Sequence, residues 1–395
     1  DRSRGGHRTR VGRVAVDLQR QQLRRALVAV YDIDFAAPVR DFGAVPDDDL
    51  ARAEPALARG LAACRLETGY PVRPWSATRA FARAAEAAGA LHKAGKRALA
   101  REANRTARKL LLRAVELEPT LERRYYAAKA AWRMSDYPTL AREMEKVRKA
   151  GAEAGDPQIE GLALTALAEV AVLREGDVPK ARELTDRALE LLSNHDGGRF
   201  SALAQRTSVE WSIGDLEEHE RIVREALQLA RDIDSKAMES EALQSLASNM
   251  IARLRLEDAE ACLRQAVQLA EETGSVVSRG VALRFVGVLH LERGELDEAE
   301  AALEESSALL AEADAAWSLG RALNYAAWVA WRKGNTQRAE KLFRESIRIL
   351  KPIEDRATLC ETQRGLAELL VDLGRIDEAE TFALAARQTV GPQDA

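Results

Sequence analysis

Residues 294–306 read G-E-L-D-E-A-E-A-A-L-E-E-S, and the same register returns at 334–346 as G-N-T-Q-R-A-E-K-L-F-R-E-S and at 374–386 as G-R-I-D-E-A-E-T-F-A-L-A-A. Working outward, short turns fall at Gly176-Asp177, Gly214-Asp215, Leu254-Arg255, Gly294-Glu295, Gly334-Asn335 and Gly374-Arg375, in steps of 38, 40, 40, 40 and 40 residues. Such a period means two-helix units, none able to bury its apolar face alone, stacked into one core. Glycine supplies a left-handed helix cap, and the following Asp or Asn opens the next helix. Five residues after the turn most copies carry a small residue: Ala181, Ala259, Ala299, Ala339 and Ala379, with His219 the exception. Twelve after it stands Ala188, Ala226, Ala266, Ser306, Ser346 or Ala386. Small side chains seven apart share a helical face, so paired helices can approach closely. Trp132, Trp211 and Trp331 stand three residues before a turn, where other copies have Leu173, Ile251, Leu291 and Val371. A site that is always apolar reads as packing.

Proline divides the chain. Pro38, Pro46, Pro55, Pro71 and Pro74 crowd the beginning, and none lies between Pro179 and Pro352. Because proline is excluded from helix interiors, the long middle stretch can be nearly all helix. The expected organisation is an N-terminal module over residues 1–76, with a basic arm from Arg2 to Arg13, and a helical array over 77–395. The composition of 46% apolar and 31% charged residues excludes collagen-like and disordered chains. No apolar run is long enough to cross a bilayer as a helix. Three widely spaced cysteines, Cys64, Cys262 and Cys360, suit buried thiols in a reducing cytoplasm rather than a disulfide framework. Position 1 is Asp, so the chain reads as part of something longer.

Further back, Ser135-Asp136 fits as a turn, and Glu102 marks one more. Ala107, Leu111, Ala114 and Pro119 keep the spacing A-x3-L-x2-A-x4-P, which resembles the second half of the tetratricopeptide repeat. The resemblance covers about residues 78 to 390 in eight units. It implies an all-α fold, an α-α superhelix of about eight helix pairs. Units of about 40 residues resemble the regulatory arrays of large bacterial signalling proteins. The stretch V-A-V-Y-D-I-D-F-A-A-P-V-R-D-F-G-A-V-P-D-D-D-L, with Gly69 to Trp75 as a wing, resembles the winged-helix module of STAND-type ATPases and related cyclase-like or transcriptional regulators. In that case an ATPase core would precede Asp1.

In tetratricopeptide arrays the first helix of each unit lines the groove, with contacts ten and six residues before the turn. That implies a polar strip of Gln244, Arg284, Asn324 and Arg364 beside an exposed aromatic, Trp328. Arginine and tryptophan are enriched at binding hot spots. The strip would take a protein or peptide, or a neighbouring domain of the same polypeptide. The last unit carries no polar capping helix, so its end is offered to another domain or another copy of the chain.

Chemistry is hard to find. His7, His92, His195, His219 and His290 form no metal-ligand spacing, and neither G-x-S-x-G nor G-x-G-x-x-G occurs. Residues 89–96, G-A-L-H-K-A-G-K, have glycines too far apart for a phosphate loop, and Arg97 stands where Ser or Thr should bind Mg²⁺. Asn194 to Gly198 is the polar loop expected between helices. The expected chain is therefore non-catalytic, with no cofactor and no metal. The balance of 59 basic against 63 acidic residues argues against a nucleic-acid or membrane surface. The reading is a protein- or peptide-binding scaffold, the sensor or regulatory part of a larger bacterial signalling protein. Two other readings are the C-terminal part of a STAND-type ATPase or nucleotide cyclase, and a DNA-binding transcriptional regulator.

Overall fold

The structure is a computed structural model that describes residues 74–390, with side chains described for 84–389. The winged-helix likeness, the basic arm and Cys64 lie outside the described residues. Of the wing expected from Gly69, only Pro74 and Trp75 are described, as the start of a helix.

Sixteen α-helices follow one another among the described residues. They are α1 (Pro74–Ala100), α2 (Asn104–Leu117), α3 (Leu121–Arg133), α4 (Tyr137–Ala154), α5 (Pro157–Val170), α6 (Val178–Leu191), α7 (Asp196–Ile213) and α8 (Leu216–Asp232). Then come α9 (Lys236–Ala252), α10 (Leu256–Thr273), α11 (Val276–Arg293), α12 (Leu296–Glu312), α13 (Ala316–Arg332), α14 (Thr336–Leu350), α15 (Arg356–Asp372) and α16 (Ile376–Val390). A π-helical turn, Ala171–Glu175, extends α5. There is no strand among the described residues, so the expected all-α repeat fold is what forms. The boundary expected between residues 76 and 77 falls in the first turn of α1.

Contacts divide the chain into two compact units, residues 1–93 with 113–119, and residues 94–112 with 120–395. In the first, the described residues are most of α1 and the end of α2, where Ala88 is buried and Arg113 pairs with Glu116 at 2.6 Å. The second holds the rest of the array.

The turns read from the sequence are left-handed positions of the backbone. Glu102, Ser135, Gly176, Gly214, Leu254, Gly294, Gly334 and Gly374 all have positive φ. The polar residue after the turn caps the next helix where it can: Asp136, Asp177, Asp215 and Asn335 each accept from the amide three residues on. Arg255 and Glu295 give no such cap.

The small residues of the repeat pack as their spacing predicts. Ala259, Ala299 and Ala339 are fully buried, as are Ala266, Ser306 and Ser346. The serines do more than save space. Ser306 Oγ donates to the Gly280 carbonyl and Ser346 Oγ to the Gly320 carbonyl, each at 2.7 Å. A Cβ on Gly320 would lie 2.6 Å from Leu350 Cγ, so glycine there is a condition of the close approach. The tryptophans are less uniform: Trp211 is 42% exposed and its counterpart Val371 is 54% exposed, so that site is not core in every unit.

Ion pairs set the register from unit to unit. Glu220, Glu260, Glu300 and Glu340 each stand six residues after a turn. Each binds a basic residue beside the following turn: Arg255, Arg293, Lys333 and Arg375. The earlier joint reverses the charges, with Arg182 in the acidic place and Glu210 as its partner. Solvated pairs contribute about 0–1 kcal/mol each, so the column selects register more than it stabilises.

Candidate functional site

Odd-numbered helices of consecutive units pack on one another from α3 to α15, and even-numbered helices make no comparable contact among the described residues. The crowded row of a curved two-layer array is its inner one. The odd helices therefore line the inner face, as the groove expectation requires.

Within the second unit, contacts also join distant repeats. Glu102 accepts from Ser275 Oγ at 2.5 Å and from the Val277 amide at 3.0 Å, at the start of α11. Arg105 pairs with Asp314 at 3.0 Å. Arg174 binds Glu354, and Arg356 Nη1 donates to the Glu175 carbonyl at 2.5 Å. Ile353, with Ile349 and Trp317, joins the apolar cluster of Tyr125, Tyr137, Leu140 and Met144. The left-handed Gly176 makes one of these contacts possible, since a Cβ there would meet Arg356 Nη1 at 2.4 Å.

The odd-numbered helices also carry Glu169 and Lys129, both half-buried, and Glu241, which is exposed. Glu169 accepts from Trp132 Nε1 at 2.6 Å and Tyr137 Oη at 2.9 Å. Burial pushes its carboxyl up to about 7 against those hydrogen bonds, which favour the charged form. Glu241 keeps accessible surface, but protein surrounds it at longer range and raises its carboxyl, with Arg133 and Lys129 opposing. Burial likewise lowers the Lys129 ammonium.

The expected strip divides into different kinds of residue. Gln244 is buried and committed, with Nε2 donating to Ser240 Oγ at 3.1 Å and Ser278 Oγ at 3.0 Å. Asn324 is fully buried, and its Nδ2 donates to Glu361 Oε1 at 3.2 Å while Oδ1 has no partner. Arg284 is 3% exposed, and its Nε and Nη1 have no partner. Its guanidinium lies 3.9 Å from the Phe285 ring centroid. Burial, then Arg321, lowers it to about 9. Arg364 is exposed, pairs with Glu368 at 2.6 Å and lies 5.6 Å over Trp328. Trp328 corrects the expectation of an exposed aromatic: it is half-buried, stacked on Trp331 at 5.3 Å and edge-on to Phe343 at 5.6 Å.

Sequence reasoning did not single out Glu241, Arg321 or Glu361. Each lies three residues before a recurring groove position, at Gln244, Asn324 and Arg364, and hence on the same helical face. Charge returning at that offset was the available signal. An open cleft of about 700 Å³ on α6, lined by Val178, Pro179, Arg182, Asp186 and Ile213, is a second concavity. Two of its charges are matched within the chain, Arg182 by Glu210 and Asp186 by Arg206.

Residues 160–352 match the model of the MalT-like TPR region. A search of curated proteins by sequence finds no match. Among solved structures, a Rap protein complexed with Competence and Sporulation Factor is 13% identical, with a TM-score of 0.53 over 78% of this chain and 99% of its own. The apo form of RapI is 9% identical, with a TM-score of 0.51 over 68% of this chain and 98% of its own. Aspartyl phosphate phosphatase F from Bacillus subtilis is 13% identical, with a TM-score of 0.51 over 72% of this chain and 76% of its own. At such identities the likeness is one of fold. With the period, the left-handed turns and the paired helices, these matches make the described helices a tetratricopeptide-repeat array, residues 160–352 of which resemble the MalT-like TPR region.

Proposed function

We propose that this chain is a non-catalytic binding array that holds an extended peptide or protein segment against its odd-numbered helices, as the sensor or regulatory part of a larger bacterial signalling protein. The observation that carries the reading is the row of odd-numbered helices that pack on one another from α3 to α15, which carries Gln244, Arg284, Asn324 and Arg364 at one recurring place before the turns. The Rap protein of similar fold was solved with Competence and Sporulation Factor, which supports a binding role. A neighbouring domain of the same polypeptide could supply the guest segment.

Hydrogen exchange with and without peptides selected from a random library tests this. Protection is expected on α9, α11, α13 and α15. Protection confined to even-numbered helices, or selection of no peptide, would sink the reading.

A further inference from the structure

We propose that the exposed face of α16, centred on Ala383 and Leu384, docks a second copy of this chain, with the two α16 helices antiparallel across a two-fold axis. This goes beyond the reading of the inner face and does not depend on it.

The preceding repeats show what the equivalent face does. On α14, 40 residues earlier, the corresponding positions are Glu340, Phe343 and Arg344, and all three bind the following unit. Phe343 is fully buried and packs so closely on α15 that a Cβ on Gly365 would lie 2.8 Å from its Cε1. Glu340 pairs with Arg375 at 2.7 Å, and Arg344 with Glu378 at 3.0 Å. Leu296, at the start of α12, shares an apolar cluster with Val329 of the next inner helix. The counterparts in the last described repeat are Glu380, Ala383, Leu384 and Ile376, and all four are exposed. Val371 is exposed as well, where its counterpart Trp331 packs against a cluster that includes Leu366 and Leu369 of the next unit.

This face is not shaped for one more unit of the same kind. Val223, Leu263, Leu303 and Phe343 put a large apolar side chain where Ala383 stands, and Arg224, Arg264, Glu304 and Arg344 put a charge where Leu384 stands. Arg387 in turn replaces Leu227, Val267, Ser307 and Ile347. A further repeat built like the others would meet a cavity at Ala383 and no ion-pair partner at Leu384.

What the face matches is itself. Ile376, Glu380, Ala383, Leu384 and Arg387 fall at helical spacings that place them on one stripe of α16. Glu380 and Arg387 lie equally far on either side of the midpoint between Ala383 and Leu384, about 5 Å along the axis at the rise of a helix. A second α16 turned antiparallel about that midpoint brings Glu380 level with Arg387 of the other copy, twice over, and seats Leu384 against Ala383. Both charges are exposed and have no ion pair among the described residues, so the docking breaks no existing contact. A parallel alignment would oppose Glu380 to Glu380 and Arg387 to Arg387. Charge therefore selects the antiparallel, two-fold arrangement, in which one patch serves both copies.

Sedimentation velocity of the full chain should show a monomer–dimer equilibrium between about 1 and 100 µM, the range of a small interface. Leu384→Glu should raise the dimer Kd at least about tenfold, with helicity unchanged because the residue is exposed. Glu380→Arg should weaken the dimer as well, by opposing two pairs of like charges, and so should Arg387→Glu. Mixing these two variants, or combining both changes in one chain, should restore association. Peptide binding by the inner face should be the same in all of them. A chain that stays monomeric throughout that range overturns the proposal and leaves the face to another partner. A dimer that survives Leu384→Glu and both charge reversals overturns it too, because its interface lies elsewhere. Mixed variants that fail to associate, where the parent dimerises, overturn the antiparallel pairing.

Discussion

His219 occupies the place that alanine holds at Ala259, Ala299 and Ala339. It is 2% exposed, sits 3.1 Å from Asn249 Nδ2 and 3.4 Å from Ser245 Oγ, and meets Trp211 edge-on at 5.4 Å. Burial pushes its imidazole down to about 4. The folded chain therefore keeps this ring neutral while the unfolded chain takes up a proton near pH 6.5. Stability contributed here is full above that pH and lost as pH falls from 6.5 towards 4. Urea midpoints at pH 7 and pH 5 should differ less in His219→Gln than in the parent, one pKa unit being worth about 1.4 kcal/mol. Glu169 has the opposite sign. Its carboxyl is raised to about 7, so the folded state holds a proton that the unfolded chain releases above about 4.5. The associated stability is full below 4.5 and lost as pH rises through 7, and Glu169→Gln should flatten that limb of the profile. The repeat register exposed His219 as an exception, but only the contacts from Asn249 and Trp211 say that the exception is buried.

At the scale of the helical unit, the most instructive departure is Leu254. Five sister turns use glycine, at Gly176, Gly214, Gly294, Gly334 and Gly374, while Leu254 adopts φ 57° and is 73% exposed. A left-handed leucine costs about 1–2 kcal/mol, and its side chain returns little packing. Leu254→Gly should therefore stabilise the protein by up to about 1 kcal/mol, after the added entropy of the unfolded chain. A lower urea midpoint would contradict this. Gly320→Ala is expected to cost about 1–3 kcal/mol through overpacking against Leu350. Ser306→Ala should cost about 1 kcal/mol by removing the second hydrogen bond to the buried Gly280 carbonyl, which lies within α11. The existence and phase of these units were legible because each repeats the same packing problem every 40 residues. The column from Glu220 to Glu340 was equally present in the sequence. It went unread because charge at a recurring place acquires a meaning only when its partner in the next unit is known.

Across the whole second unit, contacts join residues 173 to 209 positions apart. No local pattern announces them. Glu102 was readable as a turn, but its left-handed backbone also places its carboxylate on the Ser275 hydroxyl and Val277 amide. Glu102→Ala should speed hydrogen exchange at the Val277 amide by severalfold while leaving the centre of α11 protected. Raised salt should loosen the Arg105–Asp314 pair, since both side chains are exposed. Unchanged exchange at Val277 would mean that other contacts hold these repeats together.

The helix pairs, their eight turns and the small residues that let paired helices touch were legible in the amino-acid order, because those depend on spacing within a unit or between neighbours. Which polar groups of the odd-numbered helices find partners is set by how the repeats pack. Gln244 is bound by Ser240 and Ser278, and Trp328 is absorbed into packing with Trp331 and Phe343, while Arg284 is left buried and unpaired. That outcome depends on the distances and partners set by packing between repeats, and these are properties of the assembled array rather than of any one repeat.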